Sequence, residues 1–286
     1  MKILCAMTDA ELIEAWAERR SDSAFSELVG RYVDLVYGSA LRQVRDSQLA
    51  QDVTQAVFVV LARKGASLSP NVILPGWFFR TTRFVATRAL RGEARRRHYE
   101  QQAAADMKPQ TSAPDSDERA WTEAAPFLDD AIASLPGTDR DAVLLRFFQE
   151  QPMRVVGEKL GMSEDAAKKR VSRAVDRLKE FFVRRGIALS VPGVAAVLSR
   201  SAAQAAPGDL AEGILAAQAG RLATSASVMT LAALALRQLL WLKVRVPLAI
   251  GAAAVAALAI LRATGTGDRP VQPVSIASTR TNSSTD

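Results

Sequence analysis

Four basic side chains, Lys168, Lys169, Arg170 and Arg173, crowd into six positions of the stretch GMSEDAAKKRVSRAVDRL that begins at Gly161. A second cluster holds Arg80, Arg83, Arg88, Arg91, Arg95, Arg96 and Arg97, seven arginines in 18 residues with Glu93 as the one acid among them. The chemistry open to such clusters is contact with phosphate oxygens, which match the planar guanidinium fork, and hydrogen bonding to base edges. The aromatic run Trp77-Phe78-Phe79 just upstream could also stack on, or wedge against, unpaired bases. A third group, Gln51, Asp52 and Gln55, sets amides and a carboxylate beside Phe58 and Val59. That mixture suits docking to another protein. It also suits a slightly apolar solvated face, or a helix whose Phe58 is buried by its neighbour. Metal chemistry is a poor fit, because Cys5 is the single cysteine and His98 the single histidine.

Helices must position these groups. Around the first cluster, Leu128, Ile132 and Leu135 start an apolar stripe that Pro136-Gly137 breaks. A helix over Asp139–Phe148 and a short one over Met153–Leu160 follow by periodicity. Gly161-Met162-Ser163 then reads as a turn: glycine suits a left-handed backbone after a helix, and Ser163 suits an N-cap. Glu164 and Asp165 complement the positive end of the next helix. At about 100° per residue, Ala167, Val171, Ala174 and Leu178 fall within about 60° of arc. Lys169, Arg170, Arg173 and Arg177 fall on the far side, and Lys168 flanks the core. This is the pattern of a helix-turn-helix with a basic recognition helix, the competing reading being a charged helical hairpin without DNA contact.

In the first part of the chain, Thr8 and Glu11 have capping-box spacing. A second helix is expected from Asp22, with Phe25, Leu28, Val29, Tyr32, Val33, Leu35 and Val36 as its stripe. A third is expected from Ser47 to about Lys64, with Leu49, Val53, Ala56, Val57 and Val60 inward and the Gln51, Asp52, Gln55 group on the other face. The arginine cluster follows on a helix after the loop GASLSPNVILPG.

The totals agree with an all-α protein. Of 286 residues 49% are hydrophobic but only 6% aromatic, and alanine supplies much of the apolar count. A net charge of +7 with a pI near 9.9 points to an anionic partner, nucleic acid or lipid. Cysteine usage points to a reducing, cytoplasmic setting, and no signal peptide is read at the N-terminus, where Met1 or Met7 could start translation. Four segments emerge: two small helical domains at 8–98 and 127–185, a flexible linker at 99–126, and an Ala-rich helical extension at 186–286. The extension contains VPLAIGAAAVAALAIL at 246–261, an uncharged run of 16. A spanning helix needs roughly 17–25 residues. The run is therefore expected either to cross the inner membrane, extended back to Leu239 with Lys243 and Arg245 snorkelling, or to dock on the preceding domains.

Two separated parts of the chain carry one resemblance. AFSELVGRYVDLVYGSALR, QLAQDVTQAVFVVLARK and GWFFRTTRFVATRALRGEARRR resemble region 2 of bacterial sigma-70 family factors of the extracytoplasmic-function type. LPGTDRDAVLLRFFQE and VVGEKLGMSEDAAKKRVSRAVDRL resemble their region 4. The resemblance spans about 8–183, with no region 1.1 or region 3. It implies a non-enzymatic factor without cofactor that binds core RNA polymerase, through the β′ clamp coiled coil and the β flap, and guides it to promoter DNA. Carried across, Gln51, Asp52 and Gln55 would dock on the polymerase. Trp77, Arg80, Arg83 and Arg88 would meet the −10 element. Lys168, Lys169, Ser172 and Arg173 would read the −35 element. Gly157 departs from the pattern, standing where many relatives have alanine. The extension lies outside the resemblance, and self-regulation is the role expected of it. Two alternatives remain at this point: a helix-turn-helix regulator that does not act through core polymerase, and a membrane-tethered scaffold.

Overall fold

The computed structural model describes residues 7–69, 71–100 and 116–237. Residues 1–6 with Cys5, most of the expected linker (101–115) and the apolar run 246–261 lie outside these, as do the side chains of Arg95, Arg96, Arg97 and His98. Helices account for nearly all regular structure, and no strand occurs among the described residues.

The first domain holds α1 (Asp9–Arg19), α2 (Asp22–Val44), α3 (Ser47–Lys64) and α4 (Leu74–Glu100). Each of the first three starts on a side chain that satisfies an otherwise unpaired N–H. Thr8 and Glu11 form the expected capping box, Ser21 caps α2, and Asp46 accepts from Leu49 N at 2.7 Å to cap α3. The core is a run of aromatic rings across the helices. Trp16 meets Phe25 at 4.7 Å, Phe25 meets Phe58 at 6.5 Å, Phe58 meets Phe78 at 5.3 Å, and Tyr32 stacks on Phe78 at 4.7 Å. Offset and edge-on pairs of this kind add about 0.5–1.5 kcal/mol each beyond area burial. Phe58 is therefore core, 1% exposed, and drops out of the mixed face expected on α3. Leu49, expected inward, is only half-buried.

The second domain begins earlier than periodicity suggests. Helix α5 (Ser116–Ser134) starts inside the expected linker and runs through Pro126. Proline removes one hydrogen bond there. Ala124, Leu128, Ala131 and Ile132, all fully buried, hold the helix together on both sides of the gap. The helix expected over Asp139–Phe148 divides into α6 (Gly137–Val143) and one wider π turn over Leu144–Phe148, closed by Gln149 N donating to Leu144 O at 3.1 Å. Then come α7 (Met153–Leu160) and α8 (Glu164–Val183), joined by Gly161 at φ +67° and capped by Ser163. The glycine at 157 has a steric reason. A Cβ there would lie 2.7 Å from the Met162 carbonyl oxygen, so the turn folds closely over α7.

The extension continues as α9 (Val191–Ala202), α10 (Gly208–Gln218) and a helix over 226–237, called α11. Helix α9 buries Val194, Val197 and Leu198 and packs mainly on the second domain, against α5, α8 and the π turn. Helix α10 packs on α2 and α3 of the first domain. Among the described residues no helix is long and apolar enough to cross a membrane.

Candidate nucleic-acid interface

Helix α8 turns one row inward and another to solvent. Ala167, Val171, Ala174 and Leu178 are buried, while Lys168, Lys169, Ser172 and Arg173 are exposed. Lys168 Nζ lies 2.8 Å from Glu164 Oε1 and 3.7 Å from Asp165 Oδ1. The hydrogen bond and charge of Glu164 raise the pKa of this ammonium. Arg173 Nε donates to Lys169 O at 3.3 Å, which directs the guanidinium back along the exposed row. Two arginines grouped with the outward row by angle alone behave otherwise. Arg170 Nη1 meets Asp139 Oδ1 at 2.7 Å, and Arg177 Nη1 bonds the other oxygen of the same carboxylate. Arg170 and Arg177 are seven apart, one above the other, and Asp139 on α6 is a buried acid that both can reach. They hold α8 to its domain.

On α4 the aromatic run points inward. Trp77 is 6% exposed and sits edge-on to Phe78 at 5.2 Å; Phe78 and Phe79 are buried. Stacking by Trp77 on a base is therefore not available in this arrangement. Arg80 is exposed and Arg83 half-buried, and both approach acids of the second domain. Arg83 Nη1 is 2.8 Å from Asp130 Oδ1 on α5, and Arg80 Nη1 is 4.0 Å from Asp141 Oδ1 on α6. Arg88 lies over the Phe84 ring at 5.1 Å. Burial raises the pKa of Asp141, against the opposing pull of Arg80 and Arg140. A Cβ on Gly76 would come within 1.9 Å of Asp141 Oδ1, so the first turn of α4 accepts this carboxylate only because position 76 has no side chain.

The domains are also joined away from this seam. Asp129 on α5 accepts from Ser39 Oγ at 2.6 Å, from Arg42 Nε at 2.7 Å and from Arg42 Nη2 at 3.3 Å. Both charged side chains are 5% exposed. Lys159 Nζ reaches Asp9 Oδ2 at 3.2 Å. The carboxylates of Asp129, Asp130 and Asp141 escaped the sequence reading. A signal was present for Asp129, an acid beside Leu128 on the stripe that α5 buries.

The α3 group is partly covered. Gln51, Asp52, Gln55 and Val59 are half-buried, and Asp52 Oδ2 accepts from Ser227 Oγ of α11 at 2.6 Å. Among the described residues no cluster of histidine, cysteine and carboxylates could hold a metal ion.

These helices coincide with known family segments. Residues 28–96 match the family described as Sigma-70 region 2, and residues 128–178 that described as Sigma-70, region 4. The chain is similar to the RNA polymerase sigma factor CarQ of Myxococcus xanthus, 28% identical over 162 residues, or 56% of this chain and 90% of the relative. It is similar also to the ECF RNA polymerase sigma factor SigE of Mycolicibacterium smegmatis, 26% identical over 183 residues, 62% of this chain and 68% of the relative. The region 2 match runs from within α2 into α4, and the region 4 match from within α5 into α8. The chain belongs to the sigma-70 family of RNA polymerase sigma factors, of the extracytoplasmic-function type, and directs transcription initiation.

Proposed function

We propose that the chain docks on the β′ clamp coiled coil of core RNA polymerase through Gln51, Asp52 and Gln55. Region 4, reached by the β flap, then presents Lys168, Lys169, Ser172 and Arg173 to the major groove at the −35 element. Arg80, Arg83 and Arg88 meet the −10 element, and the extension from residue 186 regulates the factor within its own chain. All of this takes place in the cytoplasm, where polymerase and promoter are. The observation that carries the reading is the division of α8: its apolar row is sealed into the domain while its four polar candidates stay exposed beside the turn.

Elements centred near −35 and −10 are about 25 base pairs apart, roughly 85 Å along the helix axis at 3.4 Å per pair. Two domains joined by the 2.8 Å contact of Arg83 with Asp130 cannot reach both. The domains must part before both elements are held, which frees Arg80 and Arg83 from their acids.

The test is promoter-specific run-off transcription with the purified chain and bacterial core polymerase. Arg173→Ala and Lys169→Ala are expected to cost roughly 1–3 kcal/mol of −35 discrimination each. Core binding, measured by co-elution, should be unaffected. A chain that binds duplex DNA yet yields no start-site-specific transcript with core enzyme would sink the proposal and favour an independent helix-turn-helix regulator.

A further inference from the structure

We infer that α10 and α11 occupy the polymerase-docking face in the free chain, so that the extension and core RNA polymerase exclude one another there. This rests on the reading of α3 as that face. Three observations meet on it. Asp52, whose carboxylate has no other part in the fold's hydrogen bonding among the contacts described, accepts from Ser227 Oγ at 2.6 Å. Ser227 lies in the first turn of α11, which Ser225 caps by accepting from Val228 N at 3.3 Å, so the positive end of that helix faces the carboxylate. Apolar burial completes the contact: Leu210 and Ile214 of α10 and Val228 of α11 are all 5% exposed or less.

The preceding segment is anchored on α2. Ala206 N donates to Asp34 Oδ1 at 2.8 Å, and Arg42 Nη1 reaches Gln204 Oε1 at 3.4 Å. The extension thus offers the mixed face a hydroxyl donor, a helix dipole and aliphatic carbon, the complement that amides, a carboxylate and Val59 ask of any partner. An anionic lipid surface would be a poor occupant, because Asp52 would repel it. The seam is not filled as a core is. A crevice of about 450 Å³ opens between Gln55, Phe58 and Val59 on one side and Ile214, Ala217 and Met229 on the other. Contacts with such gaps open at lower free energy than close-packed ones, as a reversible cover requires.

The test is the affinity of the full chain for bacterial core RNA polymerase. Val228→Asp places a charge at a buried position of the extension and leaves α3 untouched. It should tighten core binding by at least about tenfold, the ratio expected when a binding-competent state populated at a tenth or less becomes dominant. Unchanged affinity overturns the inference. Should that variant fail to fold, a tether gives the same reading. A Cβ built on Gly38 lies 3.6 Å from that of Gln204, inside the disulfide range. In a Cys5→Ser background, Gly38→Cys with Gln204→Cys should bind core at least about tenfold more weakly when oxidised than when reduced. Equal binding overturns the inference. Asp52→Ala, made in the Val228→Asp chain, tests the underlying reading separately. Loss of core binding upholds α3 as the docking face, and retained binding removes it, whatever the extension does.

Discussion

Replacing Asp129 by alanine is expected to part the two domains while leaving each one folded. Asp129 and Arg42 are both 5% exposed, and the carboxylate takes two hydrogen bonds from the guanidinium and one from Ser39. Removing one member of a buried pair leaves the other charge uncompensated, here with only the 3.4 Å contact to Gln204 Oε1, a cost of about 3–5 kcal/mol. Arg42 sits near the end of α2, facing the second domain, so separation returns it to solvent. The cost therefore falls on the closed arrangement and not on the first domain itself. At 1.4 kcal/mol per factor of ten, the closed-to-open ratio falls by roughly two to three and a half orders of magnitude. Dyes on cysteines placed at the exposed positions Glu18 and Lys179, with Cys5→Ser, report this as lost energy transfer. Arg42→Met with Asp129→Leu should restore the transfer, since apolar side chains of similar volume replace a buried pair at little or no cost. Unchanged transfer in Asp129→Ala, or equal loss in the double variant, would refute the claim that this pair holds the domains together.

Three further outcomes can be checked by unfolding. The raised pKa of Asp141 means that its contribution to the folded state is complete below the ordinary value of 3.8 and is lost as pH rises through the raised one. Asp141→Asn should therefore melt above the parent at pH 7, with the gap closing below pH 3.8; a lower melting temperature at pH 7 contradicts the burial account. Gly161→Ala forces a side chain into the left-handed region at φ +67° and should cost about 1–2 kcal/mol in denaturant titration, with Gly161→Asn costing less. Asp139→Ala should lower stability by about 1–3 kcal/mol by removing the buried acceptor whose charged hydrogen bonds tie Arg170 and Arg177 to α6. Arg173→Ala should leave the melt unchanged, and equal melting of these two variants would mean that α8's arginines do not divide as described.

Local rules carried much of the fold and the recognition helix. The caps at Thr8 and Ser163 and the turn at Gly161 depend on residues three or four apart, and these are where expectation and structure coincide. Angular position on α8 separated Ala167 from Lys169 for the same reason. It could not separate Arg170 from Arg173, because that difference lies in a partner, Asp139, some thirty residues earlier on another helix. Phe58 and Trp77 show the converse. From one helix alone Phe58 reads as solvated, docking or buried and Trp77 as open to base stacking, and each is buried by the ring cluster that several helices build together.

Pairings at still longer range had no sequence signature to follow. Arg42 with Asp129, Arg83 with Asp130 and Ser227 with Asp52 join residues from 47 to 175 positions apart. Each sets a common polar type against another common polar type, so neither partner stands out alone. Their placement nevertheless follows one physical pattern. Side chains proposed to meet phosphate or polymerase carry charge or hydrogen-bonding capacity that must be satisfied when those partners are absent. In the closed chain, acids of α5 and α6 meet the α4 arginines and a hydroxyl of α11 meets the α3 carboxylate. The exposed row of α8 is left to solvent and to neighbours on its own helix, as Lys168 is with Glu164. Surfaces satisfied from within must exchange those contacts for a partner's. On the proposed reading, binding at the −35 element needs no such exchange, whereas polymerase docking and −10 contact do.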